Sequence, residues 1–364
     1  MCARIRDSYL VAQIPLNESF YDLLKQVSRS FYLTLRVLPL EVRPQIGLAY
    51  LLARTADTIA DTDLLPADER LAALQAYRER LLGQSTQQLD FGRLAGKQAL
   101  PAEAILLETI ENNLALLQLF PSFDQHLIRE VLSTITSGQI LDLRRFGGPG
   151  SLTSGSSGSR IMALETGLEL DDYIYRVAGC VGEFWTKICR AHVFPEVRLD
   201  ERQMIEDGIR FGKGLQLVNI LRDLPVDLKN GRCYLPSQRL DEAGLIPAGL
   251  LSPTKETQFR VVYEEYLDKA EGHLGAGWRY TNTLPFSQFR LRLACAWPIL
   301  IGLRTIKKLR RVSVNQIRQR VKVSRREIWQ VILLSLLVCP FPFLWRRLTS
   351  ASPVKAVASS HYLA

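Results

Sequence analysis

Apolar residues at three- and four-residue spacing run through most of this 364-residue chain, as in 71–82, 104–119, 126–143 and 259–274. That period marks helices burying one face, and the alternating Val/Ile/Thr runs of half-buried strands are few. The pattern predicts an all-α fold. Pro66, Pro101 and Pro121 sit where helices should start or stop, and the Gly/Ser-rich stretch 147–158 cannot hold a helix. Because the helical pattern resumes at once, 147–158 reads as a loop within one domain, 1–327, followed by an apolar segment and tail, 328–364. No repeat period is visible.

Apolar residues make up 47% of the chain and charged residues 23%, a globular mixture that excludes a disordered or fibrous protein. Cys2, Cys180, Cys189, Cys233, Cys295 and Cys339 form no Cys-x-x-Cys pair, so neither a zinc site nor a disulfide scaffold is indicated. The N-terminus carries no secretion pattern, and a cytoplasmic location is expected. The net charge of +9 concentrates in 290–326, which holds twelve Lys and Arg and no Asp or Glu. A solvated helical face is the plain explanation, and anionic lipid or a phosphorylated cofactor the functional one. No helix-turn-helix, zinc finger or RNA-binding signature accompanies the charge, so nucleic acid is not expected as a partner. Residues 328–345 are almost wholly apolar between Arg325-Arg326 and Arg346-Arg347, but Pro340 and Pro342 shorten them below the about 20 residues of a spanning helix. A buried last helix, an interfacial anchor and a span all stay open, and contact with a membrane surface is expected.

Two polar stripes interrupt the helical pattern. In YLLARTADTIAD, Tyr50, Arg54, Asp57 and Asp61 fall at i, i+4, i+7 and i+11, one helix face with neighbours roughly 5 to 6 Å apart. Two carboxylates one turn apart repel unless a cation lies between them, and oxygen ligands suit Mg2+ bridging carboxylates to phosphates. Arg54 is placed to grip a diphosphate. A single such pair is most often a solvated helix end, yet Asn219, Asp223 and Asp227 repeat it at i, i+4 and i+8 beside Arg222. Two such faces opposed across a bundle would hold several ions and a pyrophosphate. Neutralising a leaving pyrophosphate lets an allylic C–O bond ionise, and the resulting cation needs an apolar chamber with aromatic faces. Phe31, Tyr50 and Tyr173 are the candidates for its lining. His126, His192, His273 and His361 show no metal-ligand spacing.

These segments resemble the squalene and phytoene synthase family of head-to-head prenyl transferases. The matching stretches are Ser28-Arg29-Ser30-Phe31, YLLARTADTIAD at 50–61, Tyr173 with VAGCVG at 177–182, and LQLVNILRD at 215–223 with GRCYLP at 231–236. The resemblance implies a single large bundle of the isoprenoid synthase type with a central active-site cavity. It implies Mg2+ on Asp57, Asp61, Asp223 and Asp227, and Tyr173 acting in the first half-reaction. Tyr50, Arg54 and Phe31 join it as catalytic candidates, while Arg29, Ser30, Gln216, Asn219 and Arg222 match substrate-contacting positions. Gly179 and Gly182 read better as close helix packing than as chemistry. Many relatives carry Glu before the second Asp of each pair, where this chain has Ala60 and Val226, so its metal sites are leaner in charge. Pro225 lacks a helical N–H and is expected to kink or end the helix before Asp227.

Family members part after the first intermediate. ACAWP at 294–298, Thr305-Ile306 and the basic run to Arg326 resemble the C-terminal part of the squalene-forming branch. That implies two farnesyl diphosphates, presqualene diphosphate as intermediate and reduction by NADPH, in a monomer. No Gly-x-Gly-x-x-Gly follows a strand; Lys322 and Arg325 resemble the basic positions at the cofactor phosphates. A phytoene or dehydrosqualene synthase, the same fold without the reduction, is the alternative. A non-catalytic relative would have lost its aspartates, and a terpene cyclase would carry an Asn/Ser/Glu triad on the second helix, whereas here Asp227 stands in place of the Glu and no Ser or Thr holds the middle position.

Overall fold

Pro101 occupies the first turn of a helix, and Pro66 and Pro121 the cap positions ahead of two others, where a missing N–H leaves no bond unmade. The computed structural model describes residues 16, 18–28, 31–62, 64–147, 161–318 and 321–349, all-α apart from one two-stranded pairing. They fall into two compact units, one within Met1–Met162 and Tyr175–Arg198, the other within Ala163–Ile174 and Leu199–Ala364. Arg29, Ser30 and 148–158 of the Gly/Ser-rich stretch lie outside the described residues.

Chain order through the first unit is α1 Glu18–Ser28, α2 Phe31–Val37, α3 Arg43–Ala60, α4 Ala67–Leu81, α5 Gly92–Ala95, α6 Pro101–Glu108, α7 Ile110–Leu117 and α8 Ser122–Phe146. After the strand β1 Met162–Ala163, α9 Gly167–Ile174 continues through a single π-helical turn, Tyr175–Gly179, into α10 Cys180–His192. α3 is the hub of the first unit, packing against α1, α4, α6, α7 and α8. Its Thr55 and Thr58 hydroxyls can be buried because each donates to the carbonyl four residues earlier, at 3.0 and 2.9 Å. Fully buried Asp124 of α8 accepts from Gln45 Nε2 of α3 at 3.1 Å and meets His192 Nε2 of α10 at 2.7 Å, tying three helices together. Gly138 of α8 lies against the π turn: a Cβ there would sit 2.9 Å from Arg176 Cβ.

The second unit continues with α11 Glu201–Lys229, β2 Arg232–Cys233, α12 Ser237–Glu242, α13 Glu256–Thr283, α14 Phe289–Arg311, α15 Val314–Ile317, α16 Arg325–Val338 and α17 Pro342–Arg346. The Asp200 side chain caps α11 by accepting from the Gln203 N–H at 3.0 Å. Glycines let α11 and α13 approach: a Cβ on Gly214 would lie 2.9 Å from His273 Cβ, and one on Gly277 2.8 Å from Phe211. Two members of the acid-free basic run pair with acids from other elements. Arg310 pairs with Glu264, Asp268 and Glu271 at 2.5, 2.5 and 2.8 Å, and Lys308 with Glu327 at 2.7 Å. A solvated face is therefore only part of what the run makes, and Arg292 is buried outright.

Residues 328–345 divide between α16 and α17. Their inner side joins the core, with Trp297 Nε1 donating to Ser335 Oγ at 2.9 Å and Trp345 stacked on Trp278 at 5.4 Å between ring centres. Their outer side leaves Trp329, Leu333, Leu337, Phe341 and Phe343 exposed. No helix among the described residues is long and apolar enough to cross a membrane.

Candidate active site

From Pro44 to Ala60, α3 is buried at every position except Tyr50, Ala53, Arg54, Asp57 and Ala60, so its one open face is the polar stripe. Asp61 is the residue that ends the helix, and its N–H still donates to Asp57 O at 2.8 Å. Arg54 Nη1 lies 3.9 Å from Asp57 Oδ2, while its Nη2 hydrogen-bonds Glu103 of α6. Gln139 of α8 donates from Nε2 to Asp57 Oδ1 at 2.5 Å. Burial, followed by the neighbouring Asp61 charge, pushes the Asp57 carboxyl up to about 7 against the opposing pull of Arg54 and Gln139. The same side chain is 48% exposed. Nearly half of the carboxylate surface therefore stays open to water although its surroundings are densely packed. One turn before Arg54, the Tyr50 ring stacks on Phe31 with centroids 4.9 Å apart, and its hydroxyl donates to Val27 O at 3.4 Å.

On α11 the predicted residues Gln216, Asn219, Arg222, Asp223 and Asp227 are half-buried, set among the buried Leu217, Val218, Ile220, Leu221 and Leu224. Arg222 grips Asp223 with two bonds, Nε to Oδ1 at 3.0 Å and Nη2 to Oδ2 at 2.5 Å. Pro225 does not end the helix, which runs on to Lys229. Gly231, at φ 75°, takes the left-handed conformation that turns the chain from α11 into β2. That turn brings round Tyr234, whose ring stacks on Tyr173 with centroids 4.8 Å apart and an interplanar angle of 18°. Leu164 N–H donates to Cys233 O at 3.0 Å, and burial pushes the Cys233 thiol up to about 12, which makes it no nucleophile.

Lys322 and Arg325 are exposed, one in the extended stretch before α16 and the other its first residue. Among the described residues, no three or more His, Cys, Asp or Glu gather into a metal-binding group. Glu103 and Gln139 escaped the sequence reading because each meets its partner across the fold, Gln139 from 82 residues beyond Asp57; Tyr234 stood in the GRCYLP match, but its stacking on Tyr173 did not show in the sequence. The one available signal was a polar residue on the buried face of a helix, as Gln139 is.

The sequence pattern of the squalene/phytoene synthase family matches residues 24–327. The presqualene diphosphate synthase of Zymomonas mobilis is 29% identical over 249 residues, 68% of this chain and 70% of that protein. The bifunctional lycopene cyclase/phytoene synthase of Phaeosphaeria nodorum is 30% identical over 250 residues, 68% of this chain but 38% of that protein, so the match spans well under half of the bifunctional relative. Among solved structures, the complex of TcSQS with the ligand E5700 superposes with a TM-score of 0.70 at 20% identity, covering 93% of this chain and 92% of the other. At that identity the likeness is one of fold.

Proposed function

The chain belongs to the squalene/phytoene synthase family of isoprenoid synthases, and on that premise we propose that it joins two farnesyl diphosphates head to head and reduces the product, presqualene diphosphate, with NADPH to squalene. The observation that carries this reading is the presence of two aspartate pairs, Asp57 and Asp61 at the end of α3 and Asp223 and Asp227 on α11, each beside an arginine. The donors fit Mg2+: carboxylate oxygens only, few enough to leave places for phosphate and water, with Asp57 in surroundings that disfavour its lone negative charge. Bound there, Mg2+ supplies charge neutralisation to the departing pyrophosphate. Arg54 and Arg222, which the free protein holds against Glu103 and Asp223, are placed to turn to diphosphate oxygens. Gln216 and Asn219, with Arg29 and Ser30, extend those contacts.

Each of the stacked pairs, Phe31–Tyr50 and Tyr173–Tyr234, is the kind of aromatic surface that suits a carbocation. Tyr173 is assigned to the first half-reaction. Lys322 and Arg325, two exposed cations, suit the phosphates of NADPH. The exposed apolar side of α16 and α17, bracketed by Arg325, Arg326, Arg346 and Arg347, supports peripheral attachment to a membrane on its cytoplasmic side. We take the acting species to be a monomer. The name of the Phaeosphaeria nodorum relative keeps a second reading in view, a phytoene or dehydrosqualene synthase without reduction. Purified protein incubated with farnesyl diphosphate and Mg2+, with and without NADPH, separates them. Squalene formed only with NADPH is the expected result, and one unchanged product in both incubations rules the reductive reading out.

A further inference from the structure

Pro225 stands midway between Asp223 and Asp227 and removes the backbone bond that would brace that turn. In a regular helix the N–H of residue 225 would donate to the Leu221 carbonyl; proline has no N–H, and its ring crowds the same oxygen. α11 nevertheless runs unbroken from Glu201 to Lys229. The Leu221 carbonyl has a substitute donor from another helix, the Tyr263 hydroxyl of α13, at 2.8 Å. Tyr263 is wholly buried, its ring stacked on Phe259 at 4.9 Å and flanked by the Arg260 guanidinium at 5.8 Å. Burial raises the pKa of its hydroxyl, which stays protonated and able to donate.

We propose that Tyr263 is a positioning residue for the second aspartate pair: its hydroxyl replaces the donor lost at Pro225 and so holds Asp223 and Asp227 in register for a divalent cation. This rests on the proposed metal role of that pair. The arrangement has a chemical signature, because a backbone N–H restored at position 225 should make the tyrosine hydroxyl dispensable.

The test compares the full chain with Tyr263→Phe, Pro225→Ala/Tyr263→Phe and Asp223→Asn by two readouts. One is the rise in melting temperature on adding MgCl2 with inorganic diphosphate. The other is the Mg2+ concentration giving half-maximal diphosphate release from farnesyl diphosphate. Tyr263→Phe is expected to raise that concentration by about tenfold and shrink the melting shift, as loss of a group supporting metal ligands does. Adding Pro225→Ala should return both to within about twofold of the parent, because the two changes act on one carbonyl. An unchanged Mg2+ requirement in Tyr263→Phe overturns the inference, and so does a defect that Pro225→Ala fails to reverse. If Tyr263→Phe does not fold, a double variant that folds and responds to Mg2+ like the parent supports it, and one that does not overturns it. Retained turnover and melting shift in Asp223→Asn would remove the metal reading itself, an outcome distinct from the others.

Discussion

Arg54 and Gln139 draw the Asp57 carboxyl toward ionisation while burial and Asp61 oppose it, and the balance settles at about 7. An ordinary aspartate releases its proton near pH 3.9, so between about pH 4 and 7 this one keeps a proton that a cation must displace. For a single competing proton with that midpoint, Mg2+ affinity measured by calorimetry with the metal alone should fall by about tenfold from pH 8 to pH 6. Asp57→Asn should bind weakly at both values, and equal affinity of the parent at pH 8 and 6 would remove Asp57 from the ligand set. The position of Asp57 was legible from its spacing to Arg54 and Asp61. Its chemistry was not, because the hydrogen bond that partly offsets its burial comes from Gln139 on another helix.

Helix boundaries were legible where the chain is stiff: Pro66, Pro101 and Pro121 all mark starts. The break at Thr109 between α6 and α7 was not, since apolar spacing continues through it, and neither was the π turn at Tyr175–Gly179, which packs against Gly138 of a different helix. That α11 does not end at Pro225 was hidden for the same reason, the donor that replaces its N–H being on α13. The start of α16 shows a boundary set by side chains. Ser324 N–H donates to Glu327 Oε2 at 2.8 Å, Glu327 N–H to Ser324 Oγ at 3.3 Å, and Lys308 Nζ reaches the same carboxylate at 2.7 Å. The Lys308 bond first, then those from Ser324, holds the Glu327 carboxyl down to about 2. A lowered carboxyl contributes stability that is complete above about pH 4.5 and lost as pH falls through about 2. Discounted for partial exposure, Glu327→Gln should cost about 1 to 2 kcal/mol at pH 7 in chemical denaturation, the difference from the parent fading between pH 4 and 2. A difference constant with pH would show that the charge is not what holds the turn.

For the molecule as a whole, family membership was legible because its motifs are local and ordered, whereas the fate of the basic run was not, its acids lying on α13 and α16. The outer side of α16 and α17 combines exposed aromatic and leucine side chains, Leu337 at 71% exposure, with arginines at both ends. The full chain should therefore sediment with vesicles containing phosphatidylglycerol more than with phosphatidylcholine alone, and Leu337→Asp with Phe343→Asp should reduce binding to both. Equal sedimentation of parent and variant would mean that this side meets something other than lipid. The opposite side of the same two helices is fastened by Trp297 to Ser335 and by Trp278 to Trp345. Trimming the chain ahead of Arg325 would strip the cover from two tryptophans and leave an aggregating stump, so surface redesign, not truncation, is the route to a tractable sample.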